Sequence, residues 1–268
     1  MGKIKGAGSW LRGRLRPLTP TAVIQRFGRL EAKQWDPESL IMLLFNLLVA
    51  FAVVGLVAYA ADRYWRELPP PTRRVFVSML GTFGFQAIAL LLVRWFLRDH
   101  KLGWSAAFGW SAPGRGRALL AAGLVAVLVF PASLGLASAS RWLMEWRSVQ
   151  PVAQPAVEML RATALPQERF LLGLMAMVTA PVVEEVLYRG VFYTALKSAG
   201  FPRLALWGTA VVFALTHFNL MTFVPLVFFA VVLTVLYELT GNLLAPILSH
   251  SLFNAANFFS ILWGVGQT

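Results

Sequence analysis

"LIMLLFNLLVAFAVVGLVAYAA", residues 40 to 61, contains no charged side chain. A helix crossing a hydrocarbon layer of about 30 Å needs about 20 apolar residues in succession, because each backbone N–H and C=O in lipid must find its partner inside the segment. This run meets that length. Of the 268 residues, 58% are hydrophobic and only 13% charged, roughly half the charged share of a soluble domain. The chain is therefore read as a membrane protein.

Working outward from residues 40–61, apolar runs predict further helices over residues 75–97, 118–140, 169–198, 204–218, 222–239 and 243–263. Pro and Gly punctuation separates them: "ELPPPTRR" after the first, "AGFP" at 199–202 and "TGN" at 240–242. The fold class this implies is all-α: a polytopic transmembrane helical bundle of about seven to eight spans, the eighth allowing for one hidden in the linker of residues 141–169. That linker is too charged to cross as a whole, and Trp142 and Trp146 suit headgroup anchoring. Pro181 predicts a kink in the fourth helix. The expected organisation is a basic extension over residues 1–38, a set of transmembrane helices and an amphipathic linker over 39–165, and a functional core over 166–264.

The formal net charge is +12, a value that could suggest nucleic acid. The basic residues, however, sit in the tail and between apolar runs rather than on one soluble face, so no nucleic-acid partner is expected. Lys3, Lys5, Arg12, Arg14, Arg16, Arg26, Arg29 and Lys33 crowd the start of the chain, and the positive-inside rule then keeps the N-terminus in the cytoplasm of a multi-pass cell-membrane protein. Trp10, Leu11, Leu15 and Phe27 between those arginines would let the tail lie on anionic lipid; a solvated tail that only sets topology is the competing reading. The first apolar run starts too late and is too long for a signal-peptide core, so it is expected to stay in the mature protein. With no cysteine, disulfides, thiolate nucleophiles and thiolate metal sites are excluded.

Beyond Arg203 there is no Lys or Arg, and few polar side chains in the apolar half could do acid, base or ligand chemistry. They are Glu184, Glu185, His217, Glu238, His250 and Asn254. An ionised side chain at the bilayer centre costs about 2.5–3.5 kcal/mol on insertion scales, so intramembrane Glu and His mark function by default. His100, in "RDHK", is expected to be a solvated surface residue, Glu238 an interfacial one, and Tyr188 and Tyr193 packing aromatics. If the fourth and fifth helices turn at Gly200 and Phe201, Glu184 and His217 both lie about 24–26 Å from the turn at 1.5 Å per residue. From Gly241, His250 and Asn254 stand about 14 and 20 Å in, on one helical face.

A carboxylate shielded from bulk water can take a proton from a water molecule, and an imidazole beside it can share that proton. Amide hydrolysis also needs donors for the oxyanion, which a His and an Asn on one face can supply. Glu185 and Arg189 are four apart and can pair, locking the helix, while Glu184 points about 100° away. These two are assigned to structural support. Buried Glu and His also mark ion pathways, so a proton-coupled transporter and a non-catalytic membrane scaffold remain rival readings.

"EEVLYR" (Glu184, Glu185, Arg189), "FALTH" (Phe213, His217) and "HSLFN" (His250, Asn254) resemble, in that order, the EExxxR, FxxxH and HxxxN motifs of the CPBP intramembrane protease family, also called Abi, which includes the CAAX prenyl proteases. The resemblance covers about residues 166–262. It implies that Glu184 activates the hydrolytic water with His217, that His250 and Asn254 stabilise the oxyanion, and that Glu185 and Arg189 support the site. It implies a peptide or membrane-protein substrate, lipidated or not, or an immunity-type regulator where catalysis is not used. No cofactor is called for, and a metal is left open because the family was long described as metalloproteases; the sequence has no HExxH, although two His with a Glu could hold zinc.

Overall fold

A computed structural model describes residues 35–111 and 114–264. The basic tail, with the lipid-binding reading made of it, lies outside the described residues. Among the described residues the chain forms nine helices and no strand: α1 (Pro37–Tyr64), α2 (Pro70–Asp99), α3 (Trp104–Phe108), α4 (Arg115–Trp146), α5 (Pro155–Ala162), α6 (Pro166–Ser198), α7 (Pro202–Leu215), α8 (Leu220–Thr240) and α9 (Leu244–Leu262). The two short ones, α3 and α5, lie in segments read as a loop and a linker.

The chain is a multi-pass membrane protein with the all-α bundle its hydropathy predicts. Among the described residues five helices, α1, α2, α4, α6 and α8, are long and apolar enough to cross a membrane. The count of seven to eight spans is therefore approximate. With 14 residues, α7 reaches only about 21 Å at 1.5 Å per residue, and His250, Asn254 and Asn257 lower the hydropathy of α9.

Local chemistry fixes the ends of these helices. Asp36 caps α1, its carboxylate accepting from the Ser39 N–H at 2.8 Å, with Pro37 at the first helical position. Leu43, Leu47, Ala50 and Val54 form its inner stripe, and Leu43 and Leu47 share a buried cluster with Ala89, Val93, Phe96 and Leu97 of α2. The opposite face exposes Ile41, Phe45, Leu48 and Phe51, as a helix apolar all round does when half of it meets lipid. Turns use glycine where the backbone goes left-handed: Gly241 (φ +62°) ends α8, and Gly109 (φ +70°) follows α3. A Cβ on Gly109 would stand 2.0 Å from the Gly241 carbonyl oxygen, so this close approach admits only glycine. The Leu243 N–H donates to the Phe108 carbonyl at 3.0 Å and completes the docking of α3 on the α8–α9 turn.

Burial identifies the central helices. In α6 and α8 the most apolar stretch is 39% and 44% buried, against 22% in α1, α2 and α4, and Glu185, Arg189 and Thr194 of α6 are buried against protein. Its hydrogen-bond ladder widens to π-helical turns at Met175–Thr179 and Val186–Tyr193. Pro181 accounts for the first of these. It has no N–H and its ring crowds the preceding turn, and just ahead of it the Ala180 N–H reaches back to the Met175 carbonyl.

Two residues depart from their expected places. His100 is not a solvated loop residue: its Nδ1 donates to the Phe96 carbonyl at 2.7 Å, its Nε2 accepts from the Asp36 N–H at 3.1 Å, and its ring packs on Trp35. It docks the start of α1 on the end of α2, a contact invisible in a charged run such as "RDHK". Glu238 does not meet the solvent that a place near a helix end suggests. It is fully buried, accepting from Tyr193 Oη at 2.6 Å and Lys197 Nζ at 2.5 Å; partners on α6, far away in sequence, make that burial tolerable.

Candidate functional site

Adjacent positions on α6 send the two glutamates in different directions. The Glu185 side chain is 0% exposed and the Glu184 side chain 28% exposed. Glu185 Oε1 accepts from Arg189 at 2.8 Å, one turn on, and from His250 Nδ1 on α9 at 2.8 Å. Arg189 also donates to the Ala230 carbonyl of α8 at 3.1 Å, and its guanidinium carbon lies 4.8 Å from the centre of the Phe213 ring of α7. One buried ion pair thus ties α6 to α7, α8 and α9. Its charges are offset by each other, a carbonyl and an aromatic face, which limits the cost of holding them out of water.

His250 joins the buried pair to the half-buried carboxylate. A carboxylate can only accept, so Nδ1 carries a proton toward Glu185 and Nε2 is the free atom. Nε2 lies 3.8 Å from Glu184 Oε2, too far for a direct hydrogen bond and close enough for one water to bridge. The ring is fixed edge-on against Phe229, with centres 5.1 Å apart.

The other two candidates are each held by a backbone carbonyl. His217 lies just beyond α7, which ends at Leu215 rather than running through the histidine as the apolar pattern predicts. Its Nδ1 donates to the Phe213 carbonyl at 2.8 Å, again leaving Nε2 free. Its ring is 4.8 Å from that of Phe213, which is 5.9 Å from His250. Among the described residues no hydrogen bond or ion pair joins His217 to Glu184; the imidazole paired with Glu184 is His250. Asn254 Nδ2 donates to the Ala176 carbonyl at 2.8 Å. In the widened register of α6 that carbonyl would look to residue 181, a proline with no N–H, so Asn254 supplies the missing donor and keeps a second N–H.

Sequence reasoning treated Phe213 as a motif letter only. It is the hub of the junction, fully buried, touching Arg189 and both imidazoles and packing edge-on against Tyr188 at 5.3 Å. Tyr188 Oη, 3.1 Å from Thr216 Oγ1, ties α6 to the end of α7. The i,i+4 relation of Phe213 to His217 was the available signal; nothing in the sequence pointed to Phe229 or to the Ala176 carbonyl.

Three separated motifs, on α6, at the end of α7 and on α9, therefore meet at one junction, to which α8 adds Phe229 and the Ala230 carbonyl. Residues 166–256 match the Rce1-like family of type II CAAX prenyl endopeptidases. This Rce1-like segment takes in α6 to α8 and most of α9, and so holds both glutamates, Arg189, Phe213, both histidines and Asn254. Over 181 residues the chain is also 25% identical to YpbD, an uncharacterised protein of Bacillus subtilis (strain 168), covering 65% of this chain and 77% of that one. No solved structure matches. Among the described residues of the Rce1-like segment and beyond it, no three His, Cys, Asp or Glu side chains are grouped so as to hold a metal ion. The donor set zinc requires is not assembled among the described residues.

Proposed function

We propose that this protein is an intramembrane endopeptidase that hydrolyses a peptide bond of a membrane-associated protein or peptide with water activated by Glu184. The observation that carries this reading is the gap of 3.8 Å between Glu184 and His250 Nε2, with Glu184 half-buried and the far side of His250 anchored to a buried carboxylate.

A water bridging the two side chains from beside that contact donates to Glu184, which takes its proton as the oxygen attacks the scissile carbonyl carbon. His217, its ring fixed by the Phe213 carbonyl, assists through Nε2. The resulting oxyanion accepts from the remaining Asn254 N–H and, when His250 has taken a second proton from the surrounding water, from its Nε2–H, while the Nδ1 proton stays with Glu185. The proton held by Glu184 passes to the leaving nitrogen as the C–N bond breaks, giving a carboxylic acid, which keeps the water's second proton, and an amine. The N-terminus faces the cytoplasm in this reading, on the strength of the basic tail.

The test is substrate trapping. Glu184→Gln keeps the shape of the side chain and removes the base, so the variant, cross-linked in its native membrane, should retain an intact protein or peptide that mass spectrometry identifies and that the wild type cleaves. Recovery of the same uncleaved partner from both forms would instead indicate a scaffold.

A further inference from the structure

Away from the Glu184 junction, the end of the bundle where α6 begins and α9 finishes holds a cavity of about 340 Å³ lined by Leu160, Arg161, Arg169, Ile261 and Leu262. Two cations thus border one space. Neither Arg161 nor Arg169 has a carboxylate within ion-pair distance among the described residues; Glu158 and Glu168, the acids nearest in sequence, pair with neither. The arrangement is held in place, because Arg169 Nε donates to the Thr163 carbonyl at 2.9 Å and the buried Thr163 is itself bonded to the Met159 carbonyl at 2.8 Å. That bond fixes one guanidinium and leaves its terminal nitrogens to other partners.

Three features favour an anion between them. Arg161 and Arg169 are both exposed and border one open pocket, so an anion seated between them meets two cations at once. Arg169 also lies in the first turn of α6, against the positive end of the helix dipole, which a neighbouring anion would relieve. The rest of the lining is apolar, resting on the cluster of Val75, Met79, Leu160, Leu172 and Phe258 that joins α5 to α2, α6 and α9. Beside it Phe170 and Trp263 are exposed on the outer surface, and an exposed Trp at a helix end marks the headgroup level.

We propose that Arg161 and Arg169 bind the phosphate of an anionic phospholipid, whose acyl chains lie along the outer surface of α6 and α9. The apolar floor and the adjoining lipid-facing side chains select a lipid over free phosphate. The site requires no chemistry at Glu184 and stands or falls independently of the proposed peptidase activity.

The test is native mass spectrometry of the full chain from nanodiscs containing phosphatidylglycerol and phosphatidylcholine, with inorganic phosphate as a separate arm. Wild type should retain phosphatidylglycerol over phosphatidylcholine. The Arg161→Gln, Arg169→Gln double variant should lose that preference roughly thirtyfold, as expected for two headgroup contacts. Arg161→Lys with Arg169→Lys should keep part of it. Arg94→Gln with Arg98→Gln, the same charge loss at the end of α2, should keep all of it. Thermal unfolding in phosphatidylcholine checks that each variant is folded, and the single Gln variants serve if the double variant is not. Unchanged retention in the folded Gln variants overturns the proposal, as does displacement of the lipid by millimolar inorganic phosphate, which would show an ion site only.

Discussion

Glu184→Gln and Glu185→Gln are the same chemical change at neighbouring positions, and they should part completely. Glu185 is 0% exposed and Arg189 1% exposed, with 2.8 Å between them and His250 on the same oxygen. Removing one member of a buried ion pair costs about 3–5 kcal/mol. An amide oxygen can still accept one of the two bonds, which places Glu185→Gln near the lower end, about 3 kcal/mol. For a chain of this size that is a fall in Tm of roughly 6–12 °C. Glu184 has a 28% exposed side chain and its facing imidazole 3.8 Å away, so Glu184→Gln should move stability by less than about 1 kcal/mol. Its activity, however, should drop about 10²–10⁴-fold with the loss of a general base. The assay is thermal unfolding in one detergent beside cleavage of a trapped substrate. Equal destabilisation by the two variants would refute the division of labour, as would a Glu184→Gln protein that retains wild-type turnover.

Other predictions follow from local geometry. Asn254→Leu leaves the Ala176 carbonyl without its donor and should cost about 1–2 kcal/mol in thermal or denaturant unfolding; adding Pro181→Ala, which restores an N–H one register on, should recover part of it. Gly109→Ala combines φ +70° with a Cβ 2.0 Å from the Gly241 oxygen and should destabilise by about 2–4 kcal/mol, read as a lower Tm. The Ser39 backbone N–H holds the Asp36 carboxyl below its ordinary value of 3.8. Its cap is therefore fully stabilising above that value and is lost as the pH falls through the lower folded value. Asp36→Asn, which caps without titrating, should flatten this limb when stability is measured from pH 5 to pH 2.

What the sequence discloses here follows from how far each physical signal reaches. Hydropathy acts along a segment, so the helices and the all-α class can be read directly. The Glu185–Arg189 pair can be read too, because i,i+4 neighbours meet on any helix, and so can the different facing of Glu184. Contacts between helices are another matter. That His250 bonds Glu185, with Glu184 on its other side, depends on the depth and rotation of α9 against α6, which no periodicity encodes. The π-turns of α6 change the number of residues per turn, so a face drawn at 3.6 residues drifts, and the Asn254 bond to Ala176 disappears from view. Glu238 and His100 were misplaced for one reason: charged neighbours or a helix end suggest solvent, while burial is decided by Tyr193 and Lys197 in one case and Trp35 in the other. The early end of α7 at Leu215 was hidden because no Gly or Pro marks a break before the next apolar residue, Phe218.

The most direct measurement is hydrolysis of a trapped membrane peptide in H₂¹⁸O by purified wild type and Glu184→Gln in nanodiscs, with products weighed by mass spectrometry. Water attack predicts two fragments, one ¹⁸O in the new carboxyl group of the N-terminal fragment, and neither product from the folded variant. An uncut peptide with wild type, or equal labelled cleavage by both proteins, would contradict the assignment of Glu184 as the base.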